Sequence, residues 1–262
     1  MRNMEEVFVK IARRLSVCNE VISMDGIKFR GVGSYTDIHG FYTRDPSGKE
    51  TINWEKSSLR LLEVTKDLND EDSLDIRRET GLKNHISTKR IGCRWYKNLM
   101  RWEYMMIQFF KEGVTPRFED LDEQVLIESF NTAPTARINV KKMPGGGICS
   151  DMELKTHIRL YGDLIIQQVQ SLNPNVIFIG GCTNSRILND VIVPAYPDLQ
   201  AAEDSNWVFY SPKNDIVVIH GYNPTPIGKN DEDIYTNMAL ALRNFKQSEF
   251  YTKFKSIVDR KK

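Results

Sequence analysis

Ser171-Leu172-Asn173-Pro174-Asn175-Val176-Ile177-Phe178-Ile179-Gly180-Gly181 is the stretch on which the fold turns. Proline has no N–H and restricts the residue before it, so Asn173-Pro174 stops a helix arriving from the N-terminal side. Four apolar residues without a polar alternate then read as a strand buried on both faces. Gly180-Gly181 ends that strand. Upstream, Asp151 and Glu153 open the helix that runs to Leu172, since acids favour a first turn. Before it, Ala136 to Val140 reads as another strand, ending in Lys141-Lys142-Met143-Pro144-Gly145-Gly146-Gly147. Earlier still, Leu59 to Val64 is a strand that runs into the polar loop Thr65 to Asp70. Downstream, Ile216 to His220 is a fourth strand, followed by Gly221-Tyr222-Asn223-Pro224-Thr225-Pro226-Ile227.

Helices are expected between the strands. In residues 93–111, Trp95, Leu99, Trp102, Met106 and Phe109 repeat at steps of four and three, a buried stripe rather than a stacking platform. Residues 120–130 give a shorter helix, and 231–245 a last one with more helix possible beyond. Strands alternating with helices imply βαβ units. The expected class is α/β: a three-layer α/β/α sandwich around a central, mainly parallel four-stranded sheet. Residues 5–23 carry Val7, Ile11, Leu15, Cys18 and Ile22 at helical spacing, and 25–55 reads as irregular or hairpin. Residues 1–57 are therefore expected as an N-terminal helix and irregular extension to a single domain, 58–262.

Thirty-six basic and thirty-five acidic residues leave a net charge of +1, which excludes a globally basic nucleic-acid coat but permits a local basic groove. The apolar runs are too short to span a bilayer. Residues 1–10 mix acids and bases without a signal-peptide core, so a cytoplasmic address is expected. Cysteines 18, 93, 149 and 182 form no C-x-x-C pair. They read as free thiols, with neither a metal nor a disulfide framework.

In open α/β sheets, ligands sit beyond the carboxyl ends of the strands. Four loops then matter: 65–70, 141–147, 180–185 and 220–227. The first offers carboxylates and amides, the second two lysines and free backbone N–H groups, the third Gly-Gly before a helix start, and the fourth an imidazole, an amide and prolines. No Gly-Lys-Ser/Thr phosphate loop, dinucleotide glycine fingerprint or G-x-S-x-G elbow is present. Kinase, dinucleotide enzyme and serine hydrolase recede accordingly.

Read together, the segment Asn139-Val140-Lys141-Lys142-Met143-Pro144-Gly145, the element Asn173-Pro174 with strand 176–179 and Gly180-Gly181, and the tail Asn223-Pro224-Thr225-Pro226-Ile227 resemble the uracil-DNA glycosylase superfamily. That tail resembles its last motif, His-Pro-Ser-Pro-Leu or Asn-Pro-Ser. Thr65-Lys66-Asp67-Leu68-Asn69 stands where the superfamily has its water-activating motif. The resemblance spans about residues 58–227. It implies a monofunctional DNA glycosylase-like hydrolase, free of metal and cofactor, acting on a flipped modified or deaminated base in single- or double-stranded DNA. On this resemblance Asp67 or Asn69 orients the attacking water, Asn139 reads the base edge, and Asn223 faces the charge growing on the departing base. Lys66, Lys141, Lys142, Gly146, Gly181, Ser185 and Thr225 serve phosphates, and Ile227 fills the vacated stack. His220 lies three residues before the position where the superfamily often has its histidine, and joins the catalytic candidates.

Charge is uneven near these loops. Residues 62–80 hold seven acids and three bases, which opposes a polyanion, whereas 83–117 hold eight bases and two acids. Lys89, Arg90, Arg94, Lys97 and Arg101 could feed a backbone-binding groove or simply form a solvated helix face. Asp67 and Asn69 could equally be turn formers, His220 a satisfied buried histidine, and the two lysines surface charges. Asn139 differs: a polar amide inside an apolar strand needs partners. Two other readings remain: a non-catalytic nucleic-acid or nucleotide-binding module of the same fold, and a small-molecule hydrolase on the same kind of sheet.

Overall fold

The structure, a computed structural model, describes residues 2–28, 35–36, 42–43, 47–66, 73, 75, 77, 91, 93–145, 149–181, 185–202, 205–225 and 228–260. The chain begins with α1 (Arg2–Leu15), β1 (Gly26–Ile27), β2 (Tyr35–Thr36), β3 (Tyr42–Thr43), α2 (Lys49–Lys56) and β4 (Leu61–Thr65). It continues with α3 (Arg94–Glu112), α4 (Glu123–Thr132), β5 (Thr135–Asn139), α5 (Asp151–Leu172) and β6 (Val176–Gly180). A π-helical turn, Leu188–Ile192, runs into α6 (Val193–Ala195), followed by β7 (Gln200–Ala201), β8 (Val208–Ser211) and β9 (Ile216–His220). Two helices, α7 (Asp231–Phe245) and α8 (Glu249–Asp259), end the described chain.

The four strands foreseen from their apolar runs lie side by side and parallel, in the order β5-β4-β6-β9. The sheet is wider than expected. Among the described residues it has seven strands and is mixed, because β1 adds antiparallel to β5 while β8 and β7 add antiparallel beyond β9. The edge strands β1 and β7 are two residues each and too short for a pattern, while β8, Val208-Phe209-Tyr210-Ser211, is an apolar run not foreseen as a strand. β2 and β3 form a separate two-stranded ladder.

Alternation along the strands separates two cores. Leu61, Phe178, Val217 and Ile219 face one way, packed under Leu99, Trp102 and Met106 of α3 and under residues of α4, α7 and α8. Leu62, Val64, Ile177, Ile179 and Val218 face the other way, against α1, α5 and the 188–195 segment. Phe178 is fully buried and its ring packs on Trp102 at 5.6 Å between centroids. Burial of such a side chain stabilises by about 1.5–3 kcal/mol.

The N-terminal segment is not an extension. Val7, Phe8, Ile11 and Ala12 of α1 lie in the second core, Trp54 of α2 joins them, and β1 belongs to the sheet. α1 also stops at Leu15, short of the expected 23, where Ser16 takes a positive φ of 57°. Local chemistry sets the other helix ends. Asp122 accepts from the N–H groups of Gln124 and Val125 to start α4, and Ser150 accepts from Glu153 N–H to start α5. Gly113, at φ 72°, closes α3 with its N–H on Phe109 O. Among the described residues, no helix is long and apolar enough to cross a membrane.

Candidate functional site at the carboxyl ends of the parallel strands

β4 runs to β5 on one side, and the chain then returns to β6 on the other, so the order reverses around β4. In open α/β sheets, ligand crevices lie at such a switch point, outside the carboxyl ends of the strands. The ladder continues past the strands there. Val140 N–H donates to Thr65 O at 2.9 Å, Lys141 N–H to Lys66 O at 2.7 Å, and Gly221 N–H to Ile179 O at 2.9 Å. The starts of the first two loops are thereby tied to each other, and the start of the fourth to the end of β6.

Glycines let the loops approach each other. Gly181 has φ 105°, and a Cβ there would lie 3.4 Å from Lys66 Cγ and 3.5 Å from Asn223 Nδ2. Lys66 and Asn223, from loops 157 residues apart (223 minus 66), therefore flank one glycine. A Cβ on Gly221 would collide with the Phe178 ring, so glycine there admits the large core side chain. Asn223 Oδ1 accepts from Thr225 N–H at 2.9 Å and from Thr225 Oγ1 at 3.1 Å. The acceptor end of that amide is engaged, so Nδ2 is the end available toward Gly181. The loop is tied to α3 by Asn98, whose Nδ2 donates to Pro224 O at 2.8 Å and to Asp231 Oδ1 at 2.9 Å. Asn98 was missed in the sequence, where its only signal is one amide in a buried stretch of helix.

Asn139 is 2% exposed and ends β5. Thr65, its partner across the ladder, donates its hydroxyl to Asn139 Oδ1. Asn139 N–H donates to Asp25 Oδ2 at 2.9 Å. Its Nδ2 is buried and has no partner among the described residues. A buried amine of this kind calls for an acceptor.

The lysines expected at phosphates are otherwise engaged. Lys142 is 0% exposed, its ammonium on Asp25 Oδ2 in the interior. Burial pushes the Lys142 pKa down and that of Asp25 up, while their mutual attraction opposes both shifts. Lys141 is also buried and pairs with Glu153 at 2.7 Å, and Glu153 is held below the usual carboxylate range by that bond. Lys66 is partly exposed and reaches Asp151 at 3.4 Å. Thr225 spends its hydroxyl on Asn223, and Ser185, at φ 53°, accepts Asn189 N–H on its carbonyl at 2.8 Å.

His220 is not brought to Asn139. It stands in register with Ile179, and alternation places it on the α5 face of the sheet, whereas Thr65 and Asn139 are on the α3 face. The expected basic groove is largely self-neutralised where it is described. Arg94 pairs with Asp231 at 2.6 Å, Lys97 with Glu123 at 3.5 Å, and Arg101 lies over the Phe118 ring with a hydrogen bond to Asn98 Oδ1. Asp67, Asn69, Gly146, Ile227, Lys89 and Arg90 lie outside the described residues.

Directly beneath Thr65 and Asn139, on the same face, Glu63 and Arg137 pair across β4 and β5 at 2.6 Å. Lys28 and Glu103 of α3 complete a buried quartet, joined to each other at 3.0 Å. Burial, the Glu63 charge and a shared hydrogen bond with Glu63 raise the Glu103 pKa to about 8 against the pull of Lys28. Burial works against ionisation of Glu63 as well, but Arg137 and Lys28 outweigh it and lower its pKa.

A cleft of about 590 Å³ opens beside the fourth loop, lined by Tyr222, Lys229, Asn230, Thr236 and Asn237 with acids of α7. Tyr222 meets Trp207 edge-on at 5.3 Å. Among the described residues, no group of three His, Cys, Asp or Glu side chains could hold a metal ion. No protein-family model matches this chain, and no curated protein does.

Proposed function

We propose that the carboxyl ends of β5, β4, β6 and β9 hold one unstacked nucleobase, and that the chain cleaves its N-glycosidic bond by water attack, as a DNA glycosylase-like hydrolase. One observation carries this reading: the Asn139 amide, buried at a strand end with its Nδ2 lacking an acceptor among the described residues. A base edge supplies that acceptor. Cleavage of the bond leaves negative charge on the base and positive charge on the sugar, so preoriented donors near the base lower the barrier. Asn223 fits that task because Thr225 engages its oxygen and leaves Nδ2 as donor. Asp67 or Asn69, directly after β4, orients the water. Gly181 admits close backbone approach, and Gly146, Ser185 and Ile227 contact the extruded strand. In this reading the fold is a three-layer α/β/α sandwich and the protein works in the cytoplasm, without metal or cofactor.

A second reading, a small-molecule hydrolase acting on a phosphate-free substrate such as a nucleoside, is favoured by the internal pairing of Lys141, Lys142 and Arg94, which leaves them little charge for phosphates. The two separate on substrate. Single- and double-stranded oligonucleotides carrying one deaminated base are incubated with the protein and scored for abasic sites by alkaline cleavage, beside free nucleosides. The proposal expects cleavage of the oligonucleotides, lost in Asp67→Ala or Asn69→Ala. Cleavage of nucleosides alone supports the second reading, and no cleavage of either, with no base binding, defeats both.

A further inference from the structure

Five cations are buried among the described residues, and four of them meet a carboxylate. Lys28 pairs with Glu103 at 3.0 Å, Arg137 with Glu63 at 2.6 Å, Lys141 with Glu153 at 2.7 Å, and Lys142 with Asp25. Arg60, directly before β4 and 8% exposed, is the fifth, and it meets no carboxylate among the described residues. Burial pushes its pKa down, and no acid among them pulls it back. A guanidinium has five N–H groups. Nε donates to Asn173 O at 2.6 Å and Nη1 to Ser57 O at 3.3 Å, so the N–H groups of Nη2 are left without a partner among the described residues. The two carbonyls belong to the C-caps of α5 and α2 and bring only the partial negative charge of helix ends. A desolvated cation with spare donors calls for a further acceptor.

Arg60 lines a cavity of about 340 Å³ that opens at the amino ends of the strands, between α2, α5 and β1. Ile27, Trp54 and Leu172 give it an apolar wall, and Glu55 stands beside them. We propose that this cavity is a binding site for a small organic monocarboxylate, held by Arg60, at the end of the sheet opposite the four loops. The surroundings select that charge. Two helix ends and the Glu55 carboxylate repel a dianion such as phosphate, whereas one guanidinium matches a single negative charge. Nη1 and Nη2 together present a fork that suits the two oxygens of a carboxylate. The apolar wall receives a short hydrocarbon body, and the volume is near the lower end for ligand pockets. The site owes nothing to the glycosidase reading and stands or falls apart from it.

Hexanoate, its neutral counterpart hexanamide and inorganic phosphate are titrated into the full chain, as wild type and as Arg60→Gln. The indole N–H signal of Trp54 in two-dimensional ¹⁵N NMR, assigned by its loss in Trp54→Phe, reports from the cavity wall. In the wild type that signal shifts saturably with hexanoate, which binds at least about tenfold more tightly than hexanamide, a ratio that one charge-assisted hydrogen bond supplies. Arg60→Gln brings the ratio close to one. An unchanged ratio in the folded variant overturns the inference, and so does hexanoate that leaves the Trp54 signal in place. Phosphate that binds more tightly than hexanoate overturns the assignment of a monocarboxylate. Should Arg60→Gln not fold, the wild type decides: Trp54 responds to hexanoate at concentrations where hexanamide leaves it unmoved, and an equal response to both overturns the inference.

Discussion

Asn175 and Asn139 occupy opposite ends of the same parallel strands, and both are buried. Asn175, at the amino end, accepts Arg60 N–H on Oδ1 at 2.7 Å and donates from Nδ2 to Ser58 O at 2.7 Å. Its main chain bonds Arg60 O at 3.1 Å and Val217 N–H at 3.0 Å, so one residue staples the starts of β4, β6 and β9. Around it Trp54 Nε1 donates to Leu172 O at 2.8 Å and Arg60 Nε to Asn173 O at 2.6 Å. Asn139, at the carboxyl end, has one side of its amide satisfied and the other without a partner among the described residues. The same side chain therefore does two kinds of work. Where both ends of the amide are met by protein, the residue stabilises the fold; where one end waits, the proposed reading gives it to a ligand.

The comparison breaks or sharpens under substitution. The largest expected effect is on turnover: Asn139→Ala lowers base release from an oligonucleotide by about 10²–10³-fold, the usual cost of one preorganised donor. In urea its unfolding free energy stays within about 1 kcal/mol of the wild type, because only one side-chain bond is lost. Asn175→Ala shows the opposite pattern. Losing two buried bonds lowers stability by about 2–3 kcal/mol, while the rate per folded molecule is unchanged. A collapse of that rate would erase the distinction between the two ends.

pH separates the buried quartet from both asparagines. The Glu103 carboxyl, near 8 when folded and near 4.5 when unfolded, keeps its proton in the native state over that window. Its contribution to stability is full below the unfolded value and is lost as pH rises through the folded one. Chemical denaturation between those limits shows falling stability with rising pH, and Glu103→Gln flattens that slope. The smallest effect is expected at the amino end: Trp54→Phe loses the bond to Leu172 O and about 1 kcal/mol, with no change in turnover.

How much of this was legible depends on the range of each interaction. The four parallel strands announced themselves as apolar runs because strands covered on both faces need no polar alternate. Val176 and Ile216 start their strands where the runs start. The edge strands were hidden: β1 and β7 are too short for a pattern, and their place is set by pairing with distant partners. Burial of Lys142 was equally invisible, since Asp25 stands 117 residues away and nothing near Lys142 suggests a partner. Asn139 was readable because a lone amide in an apolar strand is a local anomaly. Its restraint by Thr65, 74 residues earlier, was not. His220 shows the limit of loop-based reasoning, because strand parity sends it to the face opposite Asn139.

The most direct test follows the Asn139 side-chain amide itself by two-dimensional ¹⁵N NMR, its signal assigned by its loss in Asn139→Ala, while uracil is titrated into the folded protein. The account predicts that the NH2 pair shifts saturably as Nδ2 gains a carbonyl acceptor, while the corresponding pair of Asn175 stays in place. An Asn139 signal that does not move, or that moves no more than that of Asn175, contradicts it.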